Sequence, residues 1–192
     1  RLHLCHHNLE TIDTTSTTHD LLVEVCMAAK YEGNSINTPY PQHQLTNDGT
    51  ASQLCTVLAR SFADIGDIVR GRDIFRGNDE EKKKRDELDD KLKKIFGKIH
   101  GGLTGDAQTH YQDDAKKNYY KLREDWWTAN RHTVWEAITC DAGSGTYFRK
   151  TPCGGSGKTG TLTPSQCRCN GDQVPTYFDY VPQYLRWFEE WA

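Results

Sequence analysis

The 192-residue chain predicts an all-α fold, a disulfide-linked helical bundle. Three observations predict it. Several segments carry apolar residues three and four positions apart, which is the spacing of one helical face. No segment shows a strong strand pattern. The seven cysteines include no CxxC pair, so cross-links explain them better than a zinc ribbon or a thioredoxin-like motif.

Taken in order, residues 1–15 read as irregular. Thr18 to Gly33 reads as a short helix, with Thr17 or Thr18 as its cap and Gly33 as its stop. Asn34 to Gly49, with Pro39 and Pro41, reads as a loop. In TASQLCTVLARSFADIGDIVRG the apolar residues Leu54, Leu58, Phe62, Ile65 and Val69 share a face, with Val57 and Ile68 beside them. Gly66 interrupts this helix without ending it, and Gly71 terminates it.

The charged run NDEEKKKRDELDDKLKKIFGKIHGG is not disordered, because Leu88, Leu92, Ile95, Phe96 and Ile99 trace an apolar stripe through it. Gly101 and Gly102 end it. From about Tyr111 to Cys140 the chain reads as one helix or two. Trp127, Val134 and Ile138 share a face there, with Trp135 adjacent, and Arg131 lies on the same face. A charge in that position either finds a partner, with Asp64 the candidate, or snorkels to water. Asp141 to Pro175 is a cysteine-containing loop rich in Gly, Ser and Thr, and TYFDYVPQYLRWFEEWA begins a new helix with Pro182 in its first turn.

Composition narrows the function. Apolar residues make up 35% of the chain, so the core must be concentrated in the patterned segments. A net charge of -3 supplies no global basic field for nucleic acid. No apolar run approaches membrane-spanning length, and Arg1 opens no signal peptide. A role at a membrane would therefore make this segment a soluble part of something longer.

The string GSGKT invites a nucleotide-binding reading, which fails. The pattern needs a glycine at position 152, where Pro152 stands, and Pro164 would break a helix begun after it. His3, His6 and His7 lie near Cys5, but no second ligand pair at zinc spacing accompanies them, so neither a metal nor another cofactor is expected. No GxSxG elbow is present, and the acidic residues sit among lysines on helix faces. The chain does not read as an enzyme.

One surface pattern stands out. At 100° per residue, Lys84, Lys91 and Lys98 fall on one line of the charged helix, with Lys83 and Lys94 nearby. The apolar stripe runs beside them, so they stay exposed while the helix packs. Such a row suits a linear polyanion such as a sulfated glycan, with salt-sensitive binding. The bland alternative is a solvated face. Glu87 dilutes the row, while Arg70, Arg72 and Arg76 add positive charge nearby.

Several phrases are familiar together: RLHLC, AAKYEG, LARSFADIGDIVRGRD, KIFGKI, LREDWWTANRHTVWEAITC and VPTYFDYVPQYLRWFEEWA. They closely resemble an alpha-class Duffy-binding-like domain of the erythrocyte membrane protein 1 family of malaria parasites. The resemblance implies a mostly helical, disulfide-linked fold in three subdomains, with most of the first and nearly all of the last absent here. Residues 1–15 would then be the tail of the first subdomain and 16–140 the helical bundle. Residues 141–175 would be a variable loop and 176–192 the start of the last subdomain.

The resemblance also implies that Cys5 pairs upstream, that Cys55 pairs with Cys140, and that one or both of Cys167 and Cys169 pair with the missing last subdomain. It leaves Cys26 and Cys153 open. Functionally it implies adhesion at the surface of the infected red cell, anchored by a membrane segment elsewhere in the protein and subject to antigenic variation and antibodies. The partners would be erythrocyte or endothelial receptors, including heparan sulfate-like glycans in rosetting. The alternative is a spacer beside a receptor-binding domain.

Overall fold

A computed structural model of the chain describes residues 18–38, 53–75, 77–112, 117–142, 166–169 and 174–188. Its elements are α1 (Thr18–Asn37), α2 (Gln53–Arg70), α3 (Asp79–Gly102), α4 (Asp106–His110), α5 (Tyr120–Ile138), a 3₁₀ turn (Phe178–Tyr180) and α6 (Gln183–Phe188). Among the described residues there is no β-strand. Helix α5 packs on both α1 and α2, α3 lies against α2 and α5, and the 3₁₀ turn and α6 pack on α2. The first fifteen residues, the 39–49 loop, the GSGKT stretch and Cys153 lie outside the described residues.

The apolar stripes build the core. Leu54, Leu58, Phe62, Ile65, Ile68 and Val69 of α2 are buried, as are Leu88, Leu92, Ile95 and Phe96 of α3. At the centre, the Phe62 ring lies 5.1 Å from Trp127 and meets Trp135 edge-on at 5.2 Å. Burying rings of this size dominates core energetics. Helix α3 starts with a full capping box: the Asn78 side chain accepts from Glu81 N–H, and the Glu81 carboxylate accepts from Asn78 N–H.

Two glycines do different work from that expected. Gly33 does not stop α1, which runs on to Asn37. A β-carbon at Gly33 would stand 2.0 Å from the Ile138 carbonyl oxygen, so the missing side chain lets α1 and α5 touch backbone to backbone. Gly66 similarly makes room for the Trp127 ring, which would lie 2.7 Å from an added β-carbon. Gly71 does end α2, with φ +72° and its N–H bonded to Ile68 O. Pro182 sits just before α6 and its carbonyl receives the first N–H groups, from Leu185 and Arg186.

The expected Cys55–Cys140 disulfide is corrected. Cys55 pairs with Cys167, with their Cα atoms 5.6 Å apart. Trp135 Nε1–H holds Cys167 over the start of α2 by bonding its carbonyl. Cys140 is a free thiol, turned toward Asp141 Oδ2 at 3.2 Å. The Cys55–Cys167 link closes a loop of 112 positions, worth about 4–5 kcal/mol by chain entropy. Cys167 therefore serves the bundle and not a missing subdomain. Cys169 is also disulfide-bonded.

Candidate receptor-binding surface

Helix α3 carries the whole lysine row, and the structure divides it. In the N-terminal half, spacing of four residues brings acids to the lysines. Lys84 Nζ lies 3.6 Å from Glu80 and Lys83 Nζ lies 3.9 Å from Glu87. Lys93 takes both Asp89 at 2.8 Å and Asp90 at 3.7 Å. Exposed pairs of this kind add little stability, but they reduce the local positive field. Lys91 is half-buried and already engaged.

Beyond Asp90 the helix contains no acid: its last twelve residues read KLKKIFGKIHGG. Lys94 and Lys98 are exposed there, and among the described residues neither meets a carboxylate.

The other charges expected to reinforce the row do not. Arg70 is 1% exposed and belongs to a buried ionic seam. Arg72 is drawn to Glu124 at 2.9 Å. Arg76 lies outside the described residues.

That seam also corrects the Arg131–Asp64 pairing. Arg131 grips Asp179 instead, with Nε 2.8 Å from Oδ2 and Nη2 2.7 Å from Oδ1. Asp179 further accepts Trp127 Nε1–H at 2.9 Å, and its carbonyl accepts from Arg70. Asp64 and Asp67 are claimed by Arg186 of α6, at 2.7 and 2.6 Å. Arg131 is thus inward and paired, but with a residue 48 positions away. Burial pushes the Asp67 carboxyl above its ordinary value, despite Arg186 and Arg70 beside it. The seam fixes where residues 174–188 sit more than it adds net stability.

A second buried arginine shapes α3's contact with the bundle. Arg123 donates Nε–H to Val69 O at 2.6 Å and Nη2–H to Ile68 O at 3.1 Å, which satisfies the last carbonyls of α2. It also pairs with Asp89 at 2.9 Å. Burial alone would raise the Asp89 carboxyl, but Arg123 and Lys93 hold it below its ordinary value.

A groove of about 250 Å³ runs between residues 71–75 and α3, with Asp73, Phe75, Lys82, Arg85 and Asp86 in its walls. Asp73 and Arg85 satisfy each other across it at 2.6 Å. Among the described residues no His, Cys, Asp and Glu cluster is placed to hold a metal, and no helix is long and apolar enough to cross a membrane.

Comparison with known proteins gives this geometry its family. The Duffy binding domain family model matches residues 1–186. The chain is 46% identical, with a TM-score of 0.79, to the NTS-DBL1(alpha-1) domain of Plasmodium falciparum membrane protein 1 (PfEMP1) from the varO strain. That match covers 98% of this chain and 41% of the other. The NTS-DBL1-alpha and CIDR-gamma double domain from the same strain is 47% identical, with a TM-score of 0.80, covering 98% of this chain and 26% of that one. An ICAM-1-binding DBLbeta domain of the PfEMP1 IT4var13 is 31% identical, with a TM-score of 0.70, covering 100% of this chain and 41% of that one. No curated protein matches. The chain belongs to the Duffy binding domain family, and it is a Duffy-binding-like domain segment of PfEMP1 type. It spans at most about two fifths of the length of these solved relatives.

Proposed function

We propose that this chain is part of an adhesion domain of a variant surface antigen on the infected red cell, and that its α3 lysines contact a sulfated host glycan. Family membership supports the adhesion role, as does the binding of ICAM-1 by a DBLbeta relative. The observation that carries the glycan reading is the exposure of Lys94 and Lys98 on the acid-free half of α3. In this reading Lys83 and Lys84 lie at its neutralised margin and Lys91 at its half-buried edge. The domain acts outside the cell without catalysis, and its membrane anchor lies elsewhere in the full-length protein. The subdomain limits at 15/16, 140/141 and 175/176 belong to the same proposal.

The competing reading is a non-binding antigenic spacer next to a receptor-binding domain. Retention of the complete domain on uninfected red cells separates the two. Retention that drops on the double reversal K94E/K98E supports adhesion through α3. A folded domain that is not retained at all supports the spacer.

A further inference from the structure

Exposed lysines also stand beyond the end of α3, at Lys117 and Lys121. The chain turns through α4 and comes back to α3 at the start of α5, and several contacts hold the two together. His100 Nε2 lies 3.1 Å from Gln108 O, and the His100 ring lies 5.4 Å from the Tyr119 ring. The Tyr119 hydroxyl lies over Gly97, 3.3 Å from where a β-carbon would stand. Tyr119 is therefore clamped against the turn of α3 that also carries Lys94 and Lys98.

Lys117 and Lys121 flank Tyr119 in sequence, and both are exposed. Neither meets a carboxylate among the described residues. Lys121 Nζ instead reaches the His110 carbonyl and ring nitrogen, each at 3.4 Å. Asp125, four residues on from Lys121, accepts the Tyr111 hydroxyl at 2.9 Å. Tyr120, next to Lys121 in sequence, is 46% exposed.

We infer that the anionic ligand runs across two elements: along Lys91, Lys94 and Lys98, then over the Tyr119 clamp to Lys117 and Lys121. This rests on the adhesion reading above and narrows it. Lys91 to Lys98 spans only about 10 Å of helix axis, so α3 alone contacts a short piece of a linear chain. The second pair of lysines lengthens the track and gives a sulfated oligosaccharide two separated sets of charges to satisfy. Lys83 and Lys84, held by Glu87 and Glu80, lie outside it.

The test uses the chain carried in its complete domain, with immobilised heparin as the probe. K94E/K98E and K117E/K121E should each weaken retention about tenfold or more at physiological ionic strength, and K83E/K84E less than about twofold. Loss in K94E/K98E with none in K117E/K121E overturns the two-element track and leaves the α3 reading intact. Unchanged retention in every variant overturns both. Should a reversal variant fail to fold, lysine acylation of the unsubstituted domain with and without heparin decides. Lys94, Lys98, Lys117 and Lys121 should be protected and Lys83 should stay reactive. Full reactivity of Lys117 and Lys121 while Lys94 and Lys98 are protected overturns the inference.

Discussion

The bundle centre and the docked segment 174–188 are built on opposite principles. At the centre, Phe62, Trp127 and Trp135 bury their rings against one another, and the few polar groups buried in the bundle are paired, as Ser61 is with Glu32. In the docked segment Thr176, Asp179, Gln183 and Arg186 are buried, while Tyr177, Tyr180, Tyr184 and Leu185 face out. The first joint is held by area removed from water, which tolerates imprecise geometry. The second is held by paired charges, which tolerate almost none. The bundle supplies stability, and the ionic seam supplies a defined position for residues 174–188.

The largest expected effect tests the apolar joint. Phe62→Ala leaves a cavity between two tryptophans and should cost about 3–5 kcal/mol, measured by denaturant unfolding. Somewhat less follows from breaking the ionic joint. Asp179→Ala removes the buried carboxylate that the part-buried Arg131 and the Trp127 Nε1–H both bond, and should cost roughly 3 kcal/mol. The double variant Asp179→Ala with Arg131→Met should recover much of that loss. A double cycle with no coupling would mean that the seam is not the device described.

Smaller again is Gly33→Ala. Its β-carbon would meet the Ile138 carbonyl, so α1 and α5 must part slightly, at about 1–3 kcal/mol. A neutral or stabilising result would mean that Gly33 acts only as a flexible point in α1.

Two chemical predictions follow from charge and burial. Arg123 and Lys93 lower the Asp89 carboxyl despite its burial, so it contributes stability above the ordinary carboxylate range near ~3.9. That contribution is lost as pH falls through the lower value in the folded protein. Asp89→Asn should therefore flatten the acid limb of stability below about pH 4, and an unchanged limb would remove Asp89 from the account. Burial, then Glu136, pushes the Cys26 thiol up to about 11. Its alkylation at pH 8 should run about a hundredfold slower than that of an ordinary thiol. Rapid labelling would mean that α1 opens away from α5.

Much of this was legible in the sequence. The stripes of α2 and α3 repeat locally, so counting along the chain finds them. The acid-free end of α3 is just as plain in KLKKIFGKIHGG. The ionic seam could not be read this way. Arg131 and Asp179 are 48 positions apart, Asp64 and Arg186 are 122 apart, and no period links them. Counting placed Arg131 on the apolar face, with Asp64 or water to meet its charge, and could not point to Asp179. Gly33 misled for a related reason, since a glycine before a Pro-containing loop looks like a helix stop until its neighbour Ile138 is known. Cys167 was assigned elsewhere because pairing depends on where a turn delivers the thiol, and sequence spacing does not state that.

The most direct measurement is binding of the complete domain to uninfected red cells across a salt series, with and without soluble heparin. Binding that falls as salt rises and is blocked by heparin is the expected result. Binding insensitive to both would contradict it and would move recognition from the α3 lysines to a protein or neutral-glycan contact elsewhere on the domain.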